Sequence, residues 1–397
     1  MAQMLERYVY KNQKKMRCGY TTGTCAAAAA KAAAQMLLSG RKVTEVSVRT
    51  PSDITLTLPV CEIQMKAHAV SCAVQKDSGD DPDITNGILI FAEVSYIHHT
   101  DNIINDKAPV KQQMIVDGGV GIGRITKKGL ARPVGAAAIN PVPLKMIEAA
   151  LKETAETFAY EGGLQAVISA PQGVEIAKKT FNPQLGITGG ISILGTSGIV
   201  EPMSEQALID TIRTEMKMHL ANGEQTLLIT PGNYGQDFLH ETLKIELKRS
   251  IKCSNFIGDT IDMGCELGAK GMIFVGHIGK LVKLGAGIMN THSKMADGRM
   301  EILTACAVRA GADIKTVRDI LDCVTTDAAL EVLKKNGLLE KTMEQLMLRI
   351  DACLQKRGGD SMQIGVVVFS NEYGLLGKTE QADELLLKIT ADVSSEK

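Results

Sequence analysis

Apolar and polar positions along the first part of the chain predict short strands and two helices. Eight of the 14 residues in 25–38 are alanine, the best helix former, and residues 144–158 repeat apolar side chains at helical spacing. Stretches rich in Asp, Gly and Pro, such as 77–83, are typical turns that separate the apolar runs. Strands are predicted at 43–50, 54–59, 67–75, 88–97 and 112–116.

From about residue 186 the pattern changes to apolar strands that alternate with helices. Strands that are apolar on both faces are typical of a buried parallel sheet covered by helices. We therefore expect an α+β N-terminal domain, 1–185, and an α/β three-layer domain with a mostly parallel sheet, 186–397. Its predicted strands are 191–194, 226–230, 254–258, 272–276 and a returning strand at 363–370, and its helices are 202–220, 235–250 and 314–356.

Composition and charge narrow the classes of partner. The 44 basic and 45 acidic residues nearly cancel, which argues against a nucleic-acid surface, and the chain has no Trp for base stacking. No apolar run reaches the ~18 residues of a membrane span, and no signal-peptide core precedes residue 17. The nine Cys form no Cys-x-x-Cys pair, which fits reduced thiols in a cytoplasmic protein.

The helix start that follows Arg17 is chemically suited to hold an anion. Thr22 and Thr24 are good N-cap types, Gly19 and Gly23 allow a sharp turn, and a helix start carries unpaired N–H groups. The alanines would let a flat ligand or another backbone approach closely. The alternative is a well-capped core helix with a purely structural role, and the residues themselves leave both interpretations open.

Glycine loops follow successive predicted strands of the second domain, at the edge where open parallel sheets bind ligands. They comprise 195–198, 231–235, 258–259 and 276–280, and Asp259 is suited to ribose hydroxyls of a nucleotide-like cofactor. The alternative is that these glycines serve only ordinary turns between strands and helices. Residues 276–280 are not a P-loop, because Leu281 stands where Ser or Thr is needed. The glycines of 119–123 favour a hairpin over a phosphate cradle, with a solvated basic run at 124–132.

Residues 276–299 hold the densest set of candidate chemical groups. His277 and His292 suit proton transfer, while Lys280, Lys294 and Arg299 suit carboxylates. A structural role is the alternative for each histidine. No zinc-type spacing of His and Cys and no His-Glu-x-x-His motif occurs, so we expect no protein-bound metal.

Together, these stretches resemble the CbiD family in colinear order over nearly the whole chain. The segments that carry the resemblance are 17–34, 129–143, 179–187, 189–204, 230–235 and 276–299. The resemblance implies methylation of C1 of cobalt-precorrin-5B by S-adenosylmethionine, giving cobalt-precorrin-6A in anaerobic cobalamin synthesis. It also implies that cobalt enters only as part of the tetrapyrrole substrate.

Combined with this resemblance, the residues suggest a site in which the macrocycle lies between the domains and the alanine helix forms one wall. We expect His277 or His292 to manage any proton. The expected contacts to adenosylmethionine are Gly195, Thr196, Ser197, Gly198, Gly232, Asn233, Tyr234, Gly235 and Asp259. The expected contacts to substrate carboxylates are Arg17, Thr21, Thr22, Lys280, Lys294 and Arg299.

Two other functions stay open at this point. A non-enzymatic tetrapyrrole carrier or scaffold of the same pathway would bind the corrinoid without binding the methyl donor. A small-molecule kinase would need a phosphate cradle, which the failed P-loop pattern disfavours. Homo-oligomerisation and transient contacts with other enzymes of the pathway are also left open by the sequence.

Overall fold

The computed structural model describes residues 5–11, 13–97, 113–235, 238 and 249–391. The chain forms two compact units, Met1–Ser204 and Glu205–Lys397, where the sequence pattern placed the change near residue 185. Most of the predicted helix 235–250 lies outside the described residues.

The first unit is built on a mixed sheet of five strands. Four neighbouring strands are antiparallel, and Met114–Gly118 is added in parallel at one edge beside Leu164–Ser169. Buried side chains alternate with less buried ones along most of Leu89–Tyr96, as in a strand with one face in the core. Across the sheet the strands are Cys61–Met65, Ala69–Gln75, Leu89–Tyr96, Leu164–Ser169 and Met114–Gly118.

The alanine helix, Thr22–Ser39, is the central helix of the first unit. Its alanines at 26–30 and 32–34 are all 0% exposed. They pack on strands Ala69–Gln75 and Leu89–Tyr96 and on helix Pro141–Thr157. The approach is close enough for the Cys72 thiol to donate to the Ala29 carbonyl at 3.2 Å. The alanines therefore meet the core of their own unit, which confirms the structural alternative and corrects the prediction of a ligand wall.

Short ladders surround this core and join segments that are distant in sequence. The glycine run at 119–123 pairs in parallel with Gly190–Ile191 and continues into Arg124–Ile125, which pairs with Ile187–Thr188. The predicted strand 191–194 thus belongs to the first unit and not to the α/β sheet. The other ladders are Tyr8–Lys11 with Lys14–Arg17, Glu45–Arg49 with Thr55–Pro59, and Gly19–Tyr20 with Ile199–Val200, and a short helix spans Gly173–Ala177.

The second unit contains a mixed sheet of five strands, of which four are parallel. We number them in chain order. The first and the fourth have the bounds that the sequence predicted. The second comes earlier than the predicted 254–258, and the antiparallel fifth was not predicted. They are Thr226–Thr230, Ser250–Lys252, Gly271–His277, Gln363–Ser370 and Gly374–Lys378.

Helices cover this sheet on both faces. Phe274 and Val366 face one apolar cluster, whereas their neighbours Val275 and Val367 face another that includes Leu385. No helix in the described part of the chain is long and apolar enough to cross a lipid bilayer. The helices are Glu205–Ala221, Ile257–Leu267, Ile278–Leu281, Arg299–Arg309, Ile314–Leu321, Thr326–Lys335, Leu339–Leu354 and Ala382–Ala391, with single turns at Val282–Ala286 and Gln355–Gly359.

Enlarging one alanine should test how tightly the first unit is packed. Ala29→Leu adds side-chain volume where the helix touches the sheet, and such overpacking costs typically about 1–3 kcal/mol. We expect a lower midpoint of urea unfolding, followed by circular dichroism. Gln35→Leu, at a partly exposed position of the same helix, is the control and should leave the midpoint nearly unchanged. Equal midpoints for both variants would contradict tight packing.

Candidate functional site

The strand order of the second unit defines a crevice at one edge of its sheet. The first strand lies between the second and the third, so the chain adds strands first on one side and then on the other. At such a reversal the connections leave in opposite directions and open a gap at the carboxyl ends of the strands. The predicted segments 231–235 and 276–280 both lie at this edge.

Lys280 links the loops at this edge. Its ammonium donates to the Pro231 carbonyl at 2.5 Å and to the Ser254 carbonyl at 3.4 Å. Pro231 follows the first strand and Ser254 follows the second, so one side chain holds the ends of three strands together. Ser254 has a left-handed backbone conformation, with φ of 54°. Residues other than glycine rarely adopt this conformation. Burial lowers the pKa of Lys280.

An open cleft of about 360 Å³ lies beside Lys280. Three residues predicted from sequence, Lys280, His292 and Arg299, line it. Lys294 lies in the same segment as His292. The structure adds lining residues that the prediction did not include, namely Asn255, Gly279, Lys283, Thr291 and Ser293.

Lys283 fixes the segment that forms the far side of the cleft. It is only 2% exposed, and its ammonium donates to the carbonyls of Thr291 at 3.1 Å and Ala296 at 2.7 Å. Arg299 makes a two-pronged pair with Asp297, at 2.6 and 2.9 Å. The cleft therefore combines one neutralised arginine with two ammonium groups bound to carbonyls.

Both predicted catalytic histidines accept a backbone hydrogen bond at Nδ1. The Gly279 N–H donates to His277 and the Lys294 N–H donates to His292, each at 3.1 Å. A neutral imidazole whose Nδ1 accepts carries its proton on Nε2. Each ring therefore presents an N–H donor, which suits binding of an acceptor, and the prediction that one of them manages a proton stays a prediction.

His277 has two aromatic neighbours, Tyr234 and Phe369. Its ring centroid is 6.0 Å from that of Tyr234 and 5.8 Å from that of Phe369. Burial lowers the pKa of His277, and the negative charge of Asp327 partly opposes this. Asp327 accepts from the Ser370 hydroxyl at 2.6 Å. It begins a helix after a Thr N-cap, which is a sequence signal for the helix but not for its place beside His277.

The loop after the first strand leaves room for a ligand. Among the described residues, a Cβ at Gly232 would meet only the Lys280 ammonium, at 3.7 Å. The Asn233 side chain accepts from Lys252 at 3.0 Å, and Tyr234 is 61% exposed. Gly235, in contrast, is packed against the third strand, where a Cβ would lie 2.6 Å from the Val275 carbonyl.

Asp259 lies in the first turn of helix Ile257–Leu267 and not in a loop as predicted. Gly258 lies in the same turn, and a Cβ there would be 2.8 Å from that of Met289. The Gly258 N–H donates to the Met289 carbonyl at 3.0 Å. Within the described ranges the Asp259 carboxylate has no hydrogen bond or ion pair.

The predicted loop Gly195–Gly198 belongs to the first unit, where it caps the alanine helix. The N-cap is Thr21, whose hydroxyl accepts from the Thr24 N–H at 3.3 Å. The Thr22 hydroxyl accepts from the Leu194 N–H at 2.9 Å, and the Thr24 hydroxyl donates to the Gly198 carbonyl at 2.7 Å. The Gly23 N–H donates to the Leu194 carbonyl at 2.9 Å. The chain itself thus uses the groups that were expected to bind an anion.

Arg17 is likewise engaged inside the first unit. Its guanidinium makes a two-pronged pair with Asp77, at 2.6 and 2.8 Å. This hydrogen bond raises the pKa of Arg17 and lowers that of Asp77. The polar groups of Arg17, Thr21 and Thr22, which were predicted to hold substrate carboxylates, thus already have partners inside the first unit. Gly195 packs against Thr21, the Ser197 carbonyl accepts from the Ser52 hydroxyl, and Thr196 is exposed.

Comparisons with known proteins cover the chain almost end to end. The family model described as CbiD matches residues 9–202, and that described as CbiD, C-terminal domain, matches residues 290–380. A cobalt-precorrin-5B C(1)-methyltransferase of Ruminiclostridium cellulolyticum is 47% identical over 92% of each chain. One from Alkaliphilus metalliredigens is 45% identical over 96% of this chain and 97% of its own.

One solved structure is also similar in sequence. It is described as a cobalamin biosynthesis protein (cbiD) from Archaeoglobus fulgidus, is 28% identical, and covers 74% of this chain and 87% of its own, with a TM-score of 0.39.

The buried position of His277 predicts a specific pH dependence of stability. Because burial lowers its pKa in the folded state, protonation below about pH 6.5 favours the unfolded chain. Stability linked to His277 is therefore present above that pH and is lost as the pH falls through the folded pKa. We expect His277→Gln to weaken the loss of thermal stability between about pH 7 and pH 5. The same slope in wild type and variant would contradict this, and His68→Gln, at an exposed position, is the control.

Proposed function

Since the chain belongs to the CbiD family, we propose that it methylates C1 of cobalt-precorrin-5B with S-adenosylmethionine to give cobalt-precorrin-6A. The observation that carries this is the similarity at 47% identity over 92% of each chain to a relative of that name. The chain spans nearly the full length of these relatives, so both of its units have counterparts in them. No feature of either unit favours the carrier alternative.

The crevice of the second unit fits the methyl donor. Gly232 leaves space in front of the first strand, and the exposed ring of Tyr234 offers a face for a flat base. The Asp259 carboxylate, without a partner in the described chain, suits ribose hydroxyls. The Thr230 hydroxyl is buried at the end of the first strand and has no hydrogen-bond partner among the described residues. We propose that the donor is held by Thr230, Gly232, Asn233, Tyr234 and Asp259. Gly195–Gly198 are not included among the proposed contacts to the donor.

The cleft beside the crevice suits the tetrapyrrole, which carries acetate and propionate side chains. Its polar groups at the surface are mainly donors: the ammonium of Lys280, the guanidinium of Arg299 and the N–H of His292. Donors of this kind bind carboxylates strongly, because one partner in each hydrogen bond is ionised. We propose that Lys294 also binds a carboxylate of the tetrapyrrole.

The donor carries a methyl group on a sulfonium. This methyl group is transferred to the substrate by in-line displacement, with the sulfur as the leaving atom. The residues of the chain have to align the accepting carbon with this methyl group and exclude water, and such alignment can lower a barrier substantially. Lys280 contributes by fixing the loops after the first and second strands. His277 contributes by capping the turn that carries Lys280. The cobalt stays part of the substrate.

Incubation with methyl-labelled adenosylmethionine and cobalt-precorrin-5B tests this function. We expect one labelled methyl group at C1 of the product, located by mass spectrometry and NMR. Binding of the tetrapyrrole without any transfer of label would contradict the enzymatic function and support a carrier.

The placement of the donor predicts the effect of two substitutions. Gly232→Val fills open space without displacing a described neighbour, and Asp259→Ala removes an unengaged carboxylate. We expect each to weaken adenosylmethionine binding by about tenfold, the effect of losing about 1.4 kcal/mol, in calorimetric titrations. Asp319→Ala, an exposed carboxylate of the same unit, should bind as wild type does. Wild-type affinity in both test variants would refute the placement.

A further inference from the structure

Two lysines, the buried Lys283 and the partly buried Lys280, face the same cleft, and within the described residues neither has a carboxylate partner. Lys280 and Lys283 are one helical turn apart after the third strand, and both line the cleft. Each ammonium donates to two backbone carbonyls, Pro231 and Ser254 for Lys280, and Thr291 and Ala296 for Lys283. An ammonium has three N–H donors, so each retains one for a further acceptor.

This arrangement differs from that of two other cations, the buried Lys76 and the partly buried Arg299. Lys76, in the core of the first unit, forms an ion pair with Asp83 and also donates to Thr85. Arg299, in the same cleft, is paired with Asp297. Across the described part of the chain, neither Lys280 nor Lys283 forms an ion pair, although Lys283 is nearly inaccessible.

Keeping two like charges close together in a partly buried site is unfavourable. Burial lowers the pKa of both lysines, and the charge of Lys283 lowers that of Lys280 further. Asp297 raises the pKa of Lys283, but Arg299 opposes it. An anion that accepts one hydrogen bond from each ammonium would offset part of the excess charge and satisfy both remaining donors.

We propose that Lys280 and Lys283 together form a carboxylate-binding subsite in this cleft. The inference deepens the proposed function and rests on it for the identity of the ligand. The carboxylate comes either from an acetate or propionate side chain of the tetrapyrrole or from the amino-acid end of the methyl donor. Lys283, which lies in the candidate segment 276–299 but was not among the expected ligand contacts, becomes a residue that contacts the ligand and also holds segment 291–296.

The test uses the full chain and probes that separate the two sources of carboxylate. For the tetrapyrrole they are metal-free uroporphyrin and its octamethyl ester, which lacks free carboxylates. For the donor they are adenosylmethionine and its decarboxylated form. Dissociation constants are measured for wild type, Lys280→Met and Lys283→Met. Lys270→Met, at an exposed position of the same unit, is the control.

We expect both test variants to weaken binding of one carboxylate probe by about tenfold or more, as for loss of an ionised hydrogen-bond partner. The corresponding ester or decarboxylated probe should bind all variants equally. Loss confined to uroporphyrin assigns the subsite to the tetrapyrrole, and loss confined to adenosylmethionine assigns it to the donor. Unchanged binding of both carboxylate probes refutes the subsite.

Two measurements guard against misfolding as an explanation. Lys280→Arg and Lys283→Arg keep the positive charge and should retain more affinity for the carboxylate probe than the Met variants. Thermal unfolding is followed for each variant. Equal loss in the Arg and Met variants would count against the subsite. Because uroporphyrin binding does not require methyl transfer, the subsite can fail while the transfer reaction is confirmed, and the reverse also holds.

Discussion

The position of the first strand between the second and third strands is the constraint on which the candidate site depends. Because the chain reverses the direction of strand addition at Thr226–Thr230, its connections diverge and leave a crevice at the carboxyl ends. Lys280 connects the loops at this edge with two hydrogen bonds to carbonyls, so the residue that holds these loops together also brings positive charge to the crevice.

The first unit shows how similar chemistry can serve only the fold. Thr21, Thr22 and Arg17 are the residue types that bind anions at helix starts. Here a distant loop, 194–198, returns to supply partners for the threonines, through the Leu194 amide and the Leu194 and Gly198 carbonyls. The sequence contains both halves of this contact, but their separation hides it. The alanines are small because the helix lies between a sheet and another helix, and not because a ligand approaches.

Sequence patterns predicted the strands that are almost fully buried. They did not predict short strands or contacts between segments that are distant in sequence. Thr226–Thr230 and Gln363–Ser370 were predicted to the residue, because apolar runs flanked by turn residues leave little ambiguity. Ser250–Lys252 was missed, since a strand of three residues with two polar side chains is too short to show an alternation of apolar and polar positions. In the site, residues 276–299 were found by their density of polar groups. Asn255 and Asp327 were not, because only the fold brings them there.

The direction of each histidine ring could not be predicted either, and it changes the chemistry expected of the site. Because the Nδ1 atoms of His277 and His292 accept backbone N–H groups, both neutral rings offer donors. Lys280, Lys283 and Arg299 are donors as well. A site composed in this way is poorly arranged to remove a proton from a substrate and well arranged to fix one that bears several carboxylates. Methyl transfer from a sulfonium depends on alignment, so an array of fixed donors is consistent with catalysis by positioning rather than by acid–base chemistry.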